Sequence, residues 1–339
     1  MFKRSKAEFA IINSFDIFDD FIFILNYLKC ILRICVFALL FNKPKLTKTV
    51  RKLKLLHYCG CNLYGHKALD LSLIRGFKRL GIPYLWNKVN KHTKYVILLW
   101  VDIKYLKRIE KIKKKYPWIK IVTVPTACGR YGEYQWKFAE LDYIDYNLVA
   151  CEWLKERLAN KLDKKYRHKM KAWPSGVQVD PLTDKGKIYN SVMCYYKLVP
   201  ENPAITEYLK SKGINPLVVQ YGAYQMEDYY KWLTGVDFVI FVQDITESQG
   251  LAIAEAWAKN RPSIIKYNTG GNGGETCPYL TAKAGMYYKT EKELFGIIDE
   301  YVHDKKKFLG KFSPYKIAKE KFSDEASVKD LIKIFQGKK

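Results

Sequence analysis

Glu247 and Glu255 stand eight positions apart in the run Glu247-Ser248-Gln249-Gly250-Leu251-Ala252-Ile253-Ala254-Glu255. The run follows an apolar stretch, Asp237 to Val242, that reads as a buried strand, and a short turn, Gln243 to Thr246. A strand that feeds a turn and then a helix leaves the first helical amides without partners, at the positive end of the helix dipole. That is a natural diphosphate site. Gly250 leaves room for a ligand to approach closely. On a helix, Glu255 falls about two turns beyond Glu247 on nearly the same face. Two acceptor carboxylates on one edge suit a ligand that offers hydroxyls at two separated places. A sugar and a ribose joined by a diphosphate is such a ligand. The plainer alternative is that Glu247 caps the helix and Glu255 is a surface residue. Tyr221-Gly222-Ala223-Tyr224 closes an earlier strand at the level where a nucleobase would stack, or is simply a packed turn. Gly270 to Glu275 is glycine-rich but lacks the strand, turn and helix opening of a dinucleotide fingerprint, so it reads as a flexible cleft loop.

The elements that must position these residues alternate along the chain. Leu53 to Tyr58 reads as a strand, Gly60 to Gly65 as a turn, and Lys67 to Leu80 as a helix stopped by Gly81-Ile82-Pro83. Tyr95 to Val101, Ile119 to Val124 and Tyr146 to Cys151 are further strands, separated by a basic helix to Tyr116 and followed by a helix from Glu152 to Leu162. After the break at Trp173-Pro174-Ser175-Gly176-Val177 the pattern repeats. Strands at Ser191–Tyr196, Pro216–Gln220, Asp237–Val242 and Pro262–Tyr267 alternate with helices at Pro203–Lys212, Met226–Leu233 and Gly250–Lys259. Such alternation implies βαβ units and parallel sheets. The expected fold is α/β, with two Rossmann-like domains facing a central cleft and an amphipathic or hydrophobic helix ahead of them. The expected divisions are an N-terminal segment, residues 1–50, an acceptor-side domain, 51–185, and a nucleotide-sugar-binding domain with C-terminal helices, 186–339.

Glu247-x7-Glu255, placed after a strand with Ser-Gln-Gly-Leu behind the first glutamate, resembles the E-x7-E motif of GT-B glycosyltransferases, especially the retaining family 4 enzymes. Glu255-Ala-Trp-Ala-Lys-Asn-Arg-Pro-Ser-Ile-Ile is similar to that family's helix, turn and next strand, and Trp173 to Val177 to its interdomain P-x-G-V segment. The resemblance covers Trp173 to Tyr301, and the first domain by architecture alone. It implies that Glu247 contacts the transferred sugar, that Glu255 holds the ribose hydroxyls, and that the amides of Ser248, Gln249, Gly250 and Leu251 meet sugar hydroxyls and the distal phosphate. It also implies a cation after the second domain's first strand, and Lys197 is in that place. The family's usual Arg-x4-Lys pair is missing, because Lys197 is followed by Leu-Val-Pro-Glu-Asn; Arg261 and Lys266 are the remaining candidates for a second cation, or ordinary surface charges. Gly222 and Tyr224 fall at the base level of the donor site. His66, after the first strand, and Glu133, in Thr126 to Glu133 after the third, are the candidates to assist acceptor deprotonation. The implied reaction moves a sugar from a UDP- or GDP-sugar to a glycan or lipid-linked acceptor, with retention, in surface polysaccharide or glycoconjugate synthesis; the alternative is a non-catalytic GT-B-fold partner in a glycan assembly complex. No Asp-x-Asp-type pair follows a strand, so neither a catalytic metal nor a cofactor is expected.

Composition bounds the partners. Hydrophobic residues make up 48% of the 339 and charged residues 27%, enough apolar surface for sizeable cores. The formal charge is +25, and it is uneven: Asn42 to Lys54 carries six cations and no acid, Asp102 to Lys120 eight cations against two acids. Nucleic acid is an unsupported partner, since there is no zinc-finger spacing, RNP-type signature or helix-turn-helix. Phe21 to Phe41 is an apolar stretch of 21 residues interrupted by Asn26, Lys29 and Arg33, which a helix would gather in one stripe. Two cations within a span would cost about 2.5–3.5 kcal/mol each, which favours a helix lying in the membrane plane over one that crosses it. With Lys43 to Lys54 behind it, this segment suits an anionic membrane surface, or else packs on protein. There is no signal-peptide layout. The eight cysteines show no repeated metal-ligand spacing and mostly fall in apolar runs, as reduced core cysteines do. The expected location is the cytoplasmic face of a membrane, peripherally attached.

Overall fold

The computed structural model describes residues 7–13, 62–99, 103–124, 135–183, 186–268 and 276–338. In the first half, chain order runs β1 (Phe9–Asn13), α1 (Asn62–Arg79), β2 (Tyr84–Trp86), β3 (Tyr95–Leu99), α2 (Ile103–Lys115), β4 (Lys120–Val124), β5 (Tyr146–Val149), α3 (Glu152–Ala159) and β6 (Met170–Ala172). The six strands form one sheet in the order β2-β1-β3-β4-β5-β6, and every pairing is parallel. Apolar residues alternate between its two faces, as a two-residue repeat demands. Phe9 and Ile11 join Leu69, Phe77 and Ile97 on one side, while Ala10 and Ile12 join Val96, Ile109 and Ile121 on the other.

The second half runs β7 (Ser191–Lys197), α4 (Pro203–Ser211), β8 (Asn215–Gln220), α5 (Met226–Leu233), β9 (Phe238–Gln243), α6 (Leu251–Ala258), β10 (Ser263–Lys266), β11 (Gly285–Tyr288), α7 (Glu291–His303), α8 (Lys305–Gly310), α9 (Pro314–Ile317) and α10 (Asp324–Phe335). Its five strands are all parallel, in the order β11-β10-β9-β7-β8. Here β9 is buried along its whole length, which is why it reads as a continuous apolar run. Two parallel sheets with helices on their faces confirm the α/β architecture expected from the alternation. Among the described residues no helix is long and apolar enough to cross a membrane.

Two boundaries differ from the expected ones. Phe9–Asn13 falls within the segment set apart as residues 1–50, yet it pairs with both β2 and β3 inside the first sheet. The strand expected at Leu53–Tyr58, the apolar run Phe21–Phe41 and the basic run after it lie outside the described residues. The last helix, assigned by the sequence to the second domain, packs on the first: Val328, Leu331, Ile334 and Phe335 share a core with Phe9 and Phe77. The chain crosses beside the linker, where the Trp173 indole donates to the Ser327 carbonyl at 2.9 Å and the Ser327 hydroxyl to the Pro174 carbonyl at 2.9 Å. A helix is not confined to the domain whose strand precedes it; it goes where its apolar stripe finds a complement.

Candidate functional site

In the second sheet β7 is flanked by β8 on one side and β9 on the other, so the chain changes direction between β7 and β9. An open parallel sheet parts its connections there and leaves a crevice outside the carboxyl ends of the strands. Lys197 is the last residue of β7, opposite Gln243 at the end of β9. The loop after β9 carries Glu247, which is 8% exposed, and the Lys197 ammonium grips its Oε1. The cation and the first carboxylate of the motif thus meet at the switch point, although 50 positions separate them. The Lys197 Nζ also lies 5.0 Å from the centre of the Tyr221 ring, itself 41% exposed.

Glu247 does not cap α6. The helix begins at Leu251, and Gly250 precedes it in the left-handed region, at φ 72° and ψ 67°, where glycine pays no Cβ penalty. The eight-residue spacing is therefore a turn plus one helical stretch, not the two turns of a single helix face expected from the sequence. Glu255 lies inside α6, 7% exposed, and accepts the Tyr230 hydroxyl at 2.8 Å. Burial pushes its carboxyl up to about 7, against the opposing pull of the Tyr230 hydrogen bond and the Arg75 charge. It is not a surface residue. Arg75, on α1 of the first domain, acts on it through its charge and forks onto Asp324 at 2.6 and 3.1 Å.

The other expected donor residues divide. Ser248 and Leu251 are half-buried, and Leu251 packs on the core beneath α6. The Gln249 side chain is committed to the interdomain linker: its Oε1 accepts the Ser175 amide at 2.9 Å and its Nε2 donates to the Ser175 carbonyl at 2.5 Å. Gly222 takes φ +82° in the turn after β8 with open space beside it. Tyr224 turns inward, where its hydroxyl shares a 2.8 Å hydrogen bond with that of Tyr195 and its ring packs against Tyr229 and Trp232. Of the two tyrosines in this turn, the exposed one beside Lys197 is Tyr221, not the Tyr224 expected at the base level. Strand alternation names the candidates but not which of them faces the crevice once the strand has ended.

Arg261 is not a surface charge: it is 5% exposed, and its Nε donates to the Leu233 carbonyl at 2.7 Å, capping α5. Lys266 ends β10 and pairs with Asp244 of the loop at 2.6 Å. His66 falls in the first turns of α1, so the expected turn from Gly60 to Gly65 is helical from Asn62 onward; its side chain, Glu133, the Thr126–Glu133 segment and the glycines of Gly270–Gly274 lie outside the described residues. Cys151, Cys194 and Cys277 are buried, and burial pushes the Cys194 thiol up to about 12. A cavity of about 350 Å³ between Glu152, Pro174, Tyr279, Phe322 and Asp330 belongs to the crossover and does not include Lys197 or Glu247.

The first domain closes over this loop. The Trp153 indole, at the start of α3, donates to the Glu247 carbonyl at 3.2 Å, and the Tyr279 hydroxyl to the Ala150 carbonyl at the end of β5. The carboxyl ends of the two sheets thus face each other across the site.

No protein-family model matches the chain, and no curated protein matches its sequence. Solved structures share its fold. A point mutant of S. aureus TarM, crystallised with Fondaparinux, alpha-GlcNAc-glycerol and UDP, superposes with a TM-score of 0.50 at 14% identity, over 79% of this chain and 58% of its own. A glycosyltransferase from Rickettsia africae superposes with a TM-score of 0.51 at 9% identity, over 78% of this chain and 87% of its own. The chain spans little more than half of the TarM chain it matches. The two-sheet layout is that of the GT-B fold.

Proposed function

We propose that the chain is a glycosyltransferase that moves a sugar from a UDP- or GDP-sugar to a glycan or lipid-linked acceptor, with retention of configuration. The observation that carries this reading is the Lys197–Glu247 pair at the switch point between β7 and β9. An ammonium at the end of the first strand is placed to neutralise a diphosphate, and a carboxylate beside it to accept a sugar hydroxyl. On donor binding the pair exchanges partners, Lys197 turning to phosphate and Glu247 to the sugar. Glu255 accepts the ribose hydroxyls, and the amides from Ser248 to Leu251 meet the distal phosphate at the helix start. The bond from the anomeric carbon to the diphosphate oxygen breaks, the electron pair leaves with the nucleoside diphosphate, and the acceptor oxygen forms the new bond on the same face. Lys197 stabilises the charge that develops on the leaving group. The presence of UDP and a glycoside with the TarM mutant supports this reading.

The proposal includes a metal-independent reaction, with Lys197 and the helix start as the electropositive groups. It also includes work at the cytoplasmic face of a membrane, held by the run Phe21–Lys54 and by the basic outward face of α2, in surface polysaccharide or glycoconjugate synthesis. His66 and Glu133 are the proposed candidates to take the acceptor proton. A thermal-shift screen against UDP-, GDP-, ADP- and CMP-sugars tests the donor. One nucleotide class raises the melting temperature in the wild type and not in Lys197→Ala. A flat response to the whole set sinks the proposal. NMR of the product reports retention, and activity persists in EDTA.

A further inference from the structure

Glu247 is held from both domains. Its carboxylate meets Lys197 of its own sheet, but its backbone carbonyl accepts from Trp153, on the other domain. The loop between β9 and α6 has no strand partner, and the first backbone bonds of α6 run from Ile253 and Ala254 to Gly250. Among the described residues the Glu247 carbonyl has Trp153 as its hydrogen-bond donor. Two residues on, the Gln249 amide is clamped to the Ser175 backbone, both residues being buried. The donor loop is thus fixed at Glu247 by the first domain and at Gln249 by the linker.

The anchor is itself well placed. Trp153 is the second residue of α3, whose start is set by the end of β5, and there the Ala150 carbonyl accepts from Tyr279 of the second domain. Two interdomain hydrogen bonds within four positions hold the α3 start against the second sheet's carboxyl edge. A loop without ladder bonds shifts easily, and a shift of its main chain carries the attached side chain with it. An N–H donor on the carbonyl fixes the main chain there. We infer that Trp153 is a positioning residue: its indole aims the Glu247 carboxylate at the transferred sugar when the domains are together, and releases it when they part. This rests on the reading that Glu247 meets that sugar. On that footing nucleotide binding needs the second domain alone, while transfer needs the first domain's indole as well.

The test compares Trp153→Phe, Glu247→Gln and the double variant in the full chain. The donor probe is whichever of UDP-, GDP- and ADP-glucose raises the melting temperature most, and its cleavage by water is followed as nucleoside diphosphate release. Trp153→Phe should keep nucleoside diphosphate affinity and donor KM within about twofold, while kcat falls roughly fivefold, the worth of one net hydrogen bond. In the Glu247→Gln background the same change should cost nothing further. Amide hydrogen exchange, which needs no donor, should quicken across residues 244–250 and stay unchanged in α6. An unaltered kcat beside an impaired Glu247→Gln overturns the inference alone. So does unaltered exchange in 244–250, or a parallel loss of affinity and kcat. Wild-type turnover in Glu247→Gln overturns the reading of that glutamate, and the inference with it.

Discussion

Glu255 has lost water on nearly every side and keeps one hydroxyl, that of Tyr230, as its hydrogen-bond donor. A carboxyl held near 7, above its ordinary 4.5, is penalised when it ionises. The folded chain therefore gives up stability as pH rises from about 4.5 to about 7, in total ~3 kcal/mol, and gives up none of it below that window. Glu255→Gln should flatten the pH dependence of the urea midpoint over this range and raise the midpoint at pH 8. The same substitution should weaken nucleoside diphosphate binding by roughly 1.5–3 kcal/mol, because the ionised carboxylate is the better acceptor for ribose hydroxyls. Wild-type affinity should fall as pH drops through about 7, and calorimetry on the variant should lack that step. Glu247→Gln behaves differently: nucleoside diphosphate affinity stays, since its partner exists only in the intact donor, and turnover falls. Equal affinity for the nucleoside diphosphate in wild type and Glu255→Gln would remove Glu255 from the site. The types and spacing of the two glutamates are legible in the chain. The burial of Glu255 and its neighbours Arg75 and Tyr230 are not, because they come from α1 and α5, which only tertiary packing brings to α6.

At the scale of elements the second domain reads well because its strands are buried on both faces and bounded by breakers. Phe238 to Gln243 is apolar almost throughout, and Asn202-Pro203 announces α4 with a side-chain cap on the Ala204 amide. The first domain reads less well. Phe-Ala-Ile-Ile-Asn is only five residues without apolar-polar alternation, so periodicity alone cannot mark it as an inner strand. β2 and β6 are three residues each, too short to show a period. The contact of α1 with α10 is equally hidden, since it depends on a missing side chain. A Cβ on Gly76 would stand 2.5 Å from both the Asp324 carbonyl oxygen and Val328 Cγ2. Gly76→Ala should therefore destabilise the chain by about 1–3 kcal/mol, the usual cost of overpacking, despite alanine's better helix propensity. A urea midpoint at or above the wild-type value would show that the crossover helix is not seated against α1.

The whole molecule carries a formal charge of +25, and α2 shows where part of it goes. Its inner side packs Ile109, with Leu106 and Ile112, on the first sheet, while Lys107, Arg108, Lys111, Lys114 and Lys115 are exposed. The one acid among them, Glu110, pairs with Lys114 at 2.7 Å. Beyond the helix end Trp118 is 54% exposed, its indole N–H already donating to the Thr93 carbonyl at 3.1 Å, so the ring is free to sit at an interface. Each cation near an anionic leaflet contributes about 1 kcal/mol, falling off within a Debye length. Removing residues 1–48 is a poor test of membrane binding, because it also removes β1 from between β2 and β3 of the first sheet. Charge substitution leaves the fold intact. The full chain should sediment with phosphatidylglycerol vesicles, weakly with phosphatidylcholine vesicles, and less as salt rises. Replacing Lys107, Arg108, Lys111, Lys114 and Lys115 by glutamine should lower the partition at least about tenfold at low salt, while circular dichroism stays that of the wild type. Trp118→Ala should lower it by a smaller factor that salt does not change, since the ring's contribution is apolar. If the five-fold glutamine variant partitions like the wild type, α2 is a solvated face and the first domain does not meet the membrane through it.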